Sequence, residues 1–268
     1  MKNIIYYFSG TGNSLSVALS LAEKLTDTKV ESIMKLYRDS MIPSSYEHIG
    51  FIYPCCYGHP PKVVTDAVKN IHMSKHQRTF LVVMGVLYGQ SLTDMVQLLE
   101  QDTTHKIQGF CVRMPGNHIL GYPAFPDFFQ RLLFRRSEKK VDEIVACIQN
   151  STPTSFKKKP SVFEKLSRSL TGENDTKIPH FGEKGTWFYT TDKCNQCGIC
   201  SKICPVNNIE VSPDHVKWGN QCQQCMACIQ WCPQKAVAYP NIPVDRKHYH
   251  HPAIGLDQML EYMKSVKS

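Results

Sequence analysis

Eight of the twelve cysteines of this 268-residue chain fall between positions 194 and 232, in two copies of one pattern. The first copy reads Cys194-Asn-Gln-Cys197-Gly-Ile-Cys200-Ser-Lys-Ile-Cys204-Pro205, and the second reads Cys222-Gln-Gln-Cys225-Met-Ala-Cys228-Ile-Gln-Trp-Cys232-Pro233. Thiolates are soft ligands that suit iron–sulfur clusters. Three at this spacing can wrap one face of a cubane while a fourth arrives from elsewhere. Two copies imply two such sites, and so electron transfer.

Two other uses of cysteine fit less well. Disulfide frameworks belong to secreted chains, usually short ones, and Lys2-Asn3 leads straight into an expected strand with nothing resembling a signal peptide. Zinc sites take two Cys-x2-Cys pairs, or Cys with His, and need no third Cys at the same step followed by Cys-Pro. The pattern resembles that of bacterial-type ferredoxins with a pair of [4Fe-4S] clusters. The crossed ligation of those proteins implies that Cys194, Cys197, Cys200 and Cys232 hold one cluster, and Cys222, Cys225, Cys228 and Cys204 the other.

The length leaves room for a larger domain beside a ferredoxin module. The 42% hydrophobic content is ordinary for a soluble protein, and no apolar run approaches the ~18 residues that cross a bilayer, so no integral membrane segment is expected. Thiols and thiolate clusters point to a reducing compartment, most simply a cytoplasm low in oxygen. The net charge of +8 is dispersed, and its densest run, Lys157-Lys158-Lys159, reads as a solvated surface. A basic dock for an acidic partner remains open, whereas nucleic-acid binding has no supporting motif.

Residues 1–150 alternate strand and helix. Asn3–Phe8, Ile49–Tyr53, Thr79–Gly85 and Ile107–Val112 read as strands, with a weaker one at Lys29–Ile33. Leu15–Leu25, Pro61–Ile71, Leu92–Glu100 and Glu138–Gln149 read as helices. The alternation implies an open parallel sheet covered on both faces. Residues 151–186 read as a linker, with one amphipathic segment around Phe163, Leu166 and Leu170. The cysteine-rich module spans 187–240, and a tail, 241–268, carries a helix candidate at Ala253–Val266. His248, His250 and His251 read as surface residues, because no Cys, Asp or Glu stands at ligand spacing around them. Cys111 and Cys147 read as core.

Between the first strand and the first helix lies Ser9-Gly10-Thr11-Gly12-Asn13-Ser14. Glycines let the backbone approach an anion, hydroxyls add donors, and the following helix N-terminus supplies free N–H groups. A nucleoside-triphosphate loop is excluded by the lack of Gly-Lys-Ser/Thr, and a dinucleotide loop by Leu15 where a third glycine is needed. A loop rich in hydroxyls and lacking lysine suits a flavin monophosphate. In these residues the chain resembles flavodoxins, and the resemblance implies FMN. It also implies that the loops after the third and fourth strands flank the flavin ring. These loops read Pro54-Cys55-Cys56-Tyr57-Gly58-His59-Pro60 and Gly85-Val86-Leu87-Tyr88-Gly89. Tyr57 and Tyr88 are then the ring contacts, with Gly58 and Gly89 letting the backbone come close. Cys55 and Cys56 depart from the flavodoxin loop and read as buried small residues, with reactive thiols at the flavin edge as the alternative.

The whole order resembles the flavodoxin–ferredoxin fusion proteins of anaerobic bacteria and archaea, and the Met114-Pro115-Gly116-Asn117 turn after the fifth strand resembles members of that group. The expected fold is thus a flavodoxin-like, doubly wound α/β sheet followed by a small α+β bacterial-type ferredoxin domain. The resemblance implies a carrier that moves electrons between two [4Fe-4S] clusters and FMN, serving redox partner proteins or small electron donors and acceptors. The alternative is a flavin-dependent reductase of a small organic substrate. Its basis is residues 114–136, where Tyr122, Phe125, Phe128, Phe129 and Phe134 could roof the ring and Arg113 or His118 could act on a substrate.

Overall fold

The first apolar run forms β1 (Asn3–Tyr7), and all five of its residues are buried. A strand buried on both faces belongs inside a parallel sheet with helices on either side. In the computed structural model, which describes residues 2–69, 71–74, 76–100, 107–154 and 183–267, β1 sits there. It joins β2 (Thr28–Ser32), β3 (His48–Pro54), β4 (Arg78–Gly85) and β5 (Ile107–Arg113) in a five-stranded parallel sheet of order β2-β1-β3-β4-β5. This is the flavodoxin-like order. It reverses direction between β1 and β3, which opens a crevice at the carboxyl ends of those strands.

Side chains alternate across the sheet. Ile5 and Tyr7 pack with Leu15, Ala18 and Leu21 of α1 (Asn13–Lys24) and with Val141 and Ile144 of α5 (Asp127–Gln149). Ile4, Tyr6 and Phe8 face α2 (Ile33–Asp39), α3 (Lys62–Val68) and α4 (Ser91–Glu100). Two helices differ from expectation: α2 was not read, and α5 begins eleven residues before Glu138, immediately after Pro126.

The cysteine-rich part is built from two short helices and two strand pairings, preceded by a 3-10 turn at Glu183–Trp187. β6 (Tyr189–Thr190) pairs with β9 (Val237–Ala238), and β7 (Ile209–Val211) forms a hairpin with β8 (Val216–Trp218). Each cysteine motif runs into a short helix, α6 (Ile199–Ile203) or α7 (Ala227–Gln230). Phe188, Ile209, Trp218, Met226 and Val237 make a separate small core.

The tail forms α8 (Leu256–Lys267) and folds back on the sheet. Ile254 and Met259 are buried in the same core as Ile5 and Tyr7, and the Tyr262 ring meets Tyr7 edge-on at 5.8 Å. No helix among the described residues is long and apolar enough to cross a membrane. Lys157, Phe163, Leu166 and Leu170 lie outside the described residues.

Candidate cofactor sites

The loop at the head of α1 is closed by a hydrogen bond from Gly12 N to Ser9 Oγ, 3.1 Å, and Gly12 takes φ 90° as the helix N-cap. A left-handed cap of this kind favours glycine. The N–H groups of the first helical turn have no acceptor within the helix, and the helix dipole favours an anion in front of them. The loop opens on a cavity of about 540 Å³ at the carboxyl ends of the strands. Ser9, Gly10, Thr11, Asn13 and Ser14 line one end, and the remaining wall comes from Pro54–Gly58, Met84–Leu87, Gly89, Met114–His118, Tyr122, Phe125 and Gln224.

Two expected residues are not in that wall. Gly12 backs instead onto the tail, where an added Cβ would meet Ile254 and His251 at 3.1 and 3.2 Å. Tyr88 packs into the α2–α4 side of the core, near Arg113, and its loop presents Val86 and Leu87 to the cavity. Tyr57 and Gly58 do line it. They are the central residues of a tight turn, with φ 51° and 85°, closed by Cys56 N to His59 O (2.8 Å) and His59 N to Cys56 O (3.0 Å). Positive φ at both centres defines this turn type and aims the Tyr57 ring along the cavity. The Tyr57 hydroxyl donates to Gln224 Oε1 at 3.1 Å and lies 2.9 Å from His118 Nε2. Cys55 and Cys56 also line the cavity. Burial pushes the Cys56 thiol up to about 12 and Cys55 higher still, so both are protonated and poorly nucleophilic.

The eight motif cysteines fall into two sets. Cys194, Cys197, Cys200 and Cys232 surround one small cavity; Cys204, Cys222, Cys225 and Cys228 surround another. The loops wrap alike: Gln196 and Gly198 in the first motif, and Gln224 and Met226 at the matching places in the second, all have positive φ. Backbone N–H groups of Asn208, Gln224 and Ala236 donate to the sulfurs of Cys204, Cys222 and Cys232, each at 3.3 Å. Hydrogen bonds to ligand sulfur are one of the protein's means of tuning a cluster. No disulfide joins any of the twelve cysteines. Among the described residues, no three His, Cys, Asp or Glu converge closely enough for one metal ion.

The second motif does more than surround its cavity. Its loop seats on the Ser9–Ser14 loop so closely that a Cβ on Gly10 would lie 1.9 Å from the Cys225 carbonyl oxygen. Trp231 Nε1 donates to Gly10 O at 2.9 Å. Gln230 donates to Asn117 O (2.9 Å) and accepts from Tyr249 N (2.7 Å), while Gln223 accepts from Val63 N (3.0 Å). Sequence reading misses this set of residues. It also misplaces His251, which is buried, not on the surface: its N–H donates to Thr11 O at 2.8 Å and its ring meets Phe134 edge-on at 4.7 Å. Burial, with His250 adding to it, pulls the His251 imidazole down to about 4. His250 is exposed and stacks on Trp231, and His248 is half-buried.

A family model for a 4Fe-4S binding domain matches residues 188–210. No curated protein sequence matches the chain. Similar solved structures include an azoreductase from Bacillus anthracis str. Sterne, 9% identical with a TM-score of 0.38, covering 55% of this chain and 100% of its own. A flavoprotein in complex with FMN from Lactobacillus acidophilus NCFM is 13% identical with a TM-score of 0.32, covering 42% and 92%. Rubredoxin oxygen:oxidoreductase from the anaerobe Desulfovibrio gigas is 13% identical with a TM-score of 0.37, covering 56% and 36%. The fold follows from the strand order itself. The chain is a flavodoxin-like α/β unit followed by a 4Fe-4S binding domain, the order of the flavodoxin–ferredoxin fusion proteins that its motifs resemble.

Proposed function

We propose that the chain is an electron-transfer protein with FMN in the 540 Å³ cavity and a [4Fe-4S] cluster in each four-cysteine set. The observation that carries this reading is the position of Gln224. It lies between Cys222 and Cys225 and is itself part of the cavity wall, so the loop of the second cysteine set reaches the cavity directly. Clusters pass electrons singly whereas a flavin holds one or two, so together they link one-electron carriers to two-electron chemistry. Thr11 and Ser14 hydroxyls and the α1 N-terminus would hold the phosphate. Tyr57, Gly58, Gly89, Val86 and Leu87 would flank the ring. The set of Cys194, Cys197, Cys200 and Cys232 then stands farther out, with Cys197 exposed, where redox partner proteins or small donors and acceptors can reach it.

On this reading, residues 1–150 and 187–240 are the two working domains, 151–186 joins them, and 241–268 straps the first from behind. The test is rapid reduction of the clusters without oxygen. Flavin reduction should follow at a rate independent of protein concentration, because the two sites share a chain. A rate rising linearly with concentration would show transfer between molecules and remove the internal relay. The reductase reading is favoured by one observation, that His118, Tyr122 and Phe125 line the cavity. It prevails if flavin oxidation is fast and saturable with one specific organic substrate.

A further inference from the structure

None of the residues lining the large cavity is Asp, Glu, Lys or Arg, and His118 is the one among them that can take up a proton near neutral pH. This matters for any group reduced there. Two electrons and one proton leave a flavin ring with one negative charge, close to a phosphate that is already anionic. In a poorly hydrated site such charges repel far more strongly than in water. A wall with no fixed cation compensates by taking up a proton.

His118 is held in the cavity wall by its neighbours. Because Tyr57 O–H donates to Gln224 Oε1, the 2.9 Å contact between Tyr57 Oη and His118 Nε2 makes Nε2–H the donor, and Nδ1, 3.5 Å from the same oxygen, is the nitrogen that can receive a proton. The imidazole is crossed edge-on by Tyr57 at 5.1 Å and Tyr122 at 6.2 Å. Gly121 makes room for it, since a Cβ there would come within 2.8 Å of His118 Cδ2. The titratable or charged groups around it are Tyr57, Tyr122, Cys56 beside Tyr122, and Arg246, which donates to the neighbouring Ile119 O. No carboxylate is among them. Burial alone favours the neutral imidazole before any charge arrives.

Resting on the cavity reading above, we propose that His118 is the proton-uptake site coupled to reduction of the flavin, with Tyr57 as its positioning residue. Two electrons come from the two reduced clusters, one each. One proton from solvent joins the ring and a second joins His118 Nδ1. The cavity then gains two electrons and two protons and its net charge does not change.

The experiment uses the full chain loaded with clusters and FMN. Wild type, His118→Gln and Tyr57→Phe are first checked for FMN binding by fluorescence quenching. The flavin midpoint potential is then followed across the neutral pH range. Wild type should take up one proton per electron at low pH and one proton per two electrons at high pH. His118→Gln should show the shallower dependence throughout, a twofold loss of slope at low pH. Tyr57→Phe should keep both limbs but move the transition to lower pH, because the oxygen that accepts from the imidazolium is gone. Equal slopes in wild type and His118→Gln would overturn the proposal. So would a near-ultraviolet spectrum of the reduced flavin showing that the second proton sits on the ring. Absence of FMN binding in wild type would instead overturn the cavity reading, and this proposal with it.

Discussion

Replacing Gly10 with alanine is the smallest change that pushes the second cysteine loop away from the Ser9–Ser14 loop. The new Cβ would lie 1.9 Å from the Cys225 carbonyl oxygen and 2.8 Å from its carbonyl carbon. Ordinary carbon–oxygen contacts begin at about 3.3 Å, so the two backbones must part by roughly 1.4 Å. The obstacle is backbone, which cannot swing aside as a long side chain would. Gly10 is not among the positive-φ residues, so alanine suits the local conformation and the effect falls on the contact. Overpacking of this kind costs about 1–3 kcal/mol. The separation also stretches the 2.9 Å bond from Trp231 Nε1 to Gly10 O, adding about 0.5–1.5 kcal/mol. In a chain of this size each kcal/mol moves the thermal midpoint by about 2–4 °C, so the combined cost of about 1.5–4.5 kcal/mol should lower it by roughly 3–18 °C. Iron content should be unchanged, while the unimolecular rate of cluster-to-flavin transfer should fall. An unaltered midpoint together with an unaltered transfer rate would refute the seating of one loop on the other.

Thr11 is 1% exposed and its hydroxyl accepts from Asn117 Nδ2 at 3.1 Å, which aims it into the cavity. A hydrogen bond to a charged group is worth about 1.5–3 kcal/mol, so Thr11→Val should weaken FMN binding by roughly ten- to a hundredfold in a fluorescence titration; equal affinity would remove Thr11 from the site. Cys204→Ser should alter the same electron paramagnetic resonance signal as Cys222→Ser, because both line one cavity, and a match to Cys194→Ser would contradict that grouping. His251 has an ordinary value of 6.5 and a folded value of about 4, so as pH falls the unfolded chain binds the proton first. Stability should therefore drop between those two values by up to about 3 kcal/mol, in acid denaturation followed by circular dichroism, and His251→Gln should flatten that limb. The same acid slope in both proteins would refute it.

β2 buries only its last two residues and reads weakly, but the other four strands are legible in the sequence because each is buried over most of its length, leaving apolar runs bounded by glycine, proline and polar turns. Helix α2 is not. Its seven residues follow β2 without a break, and the one local mark is Ser32, whose Oγ accepts from Met34 N at 3.3 Å. The first half of α5 escapes for a different reason. Phe128 and Leu132 are 69% and 41% exposed, so apolar residues stand on the solvent face and blur the helical period, although Pro126 marks the start. The two cysteine motifs and the Ser9–Ser14 loop depend on local spacing and so can be read from the chain, whereas the grouping of Cys232 with the first motif and Cys204 with the second comes only through the resemblance to two-cluster ferredoxins. The junction between them depends on pairs more than a hundred residues apart, such as Gln224 with Tyr57 and Trp231 with Gly10. Glutamines leave no local signature. One signal was available: aligning the two motifs sets Trp231 against Ile203 and Gln230 against Lys202, which shows where the second copy departs from the first.

The Ser9–Ser14 loop leaves the ribosome before everything that supports it. Asn117 reaches Thr11 from mid-chain, Trp231 reaches Gly10 much later, and Tyr249 and His251 close on Asn13 and Thr11 later still. At about 5–20 residues per second, the roughly 240 residues between Thr11 and His251 take about 10–50 s to synthesise. For that interval the nascent chain carries the Ser9–Ser14 loop with no back wall, even though its own helix and strand are already outside. On the proposed function, cofactor retention is therefore acquired only once the chain has passed Ile254, and not when residues 1–150 alone have folded.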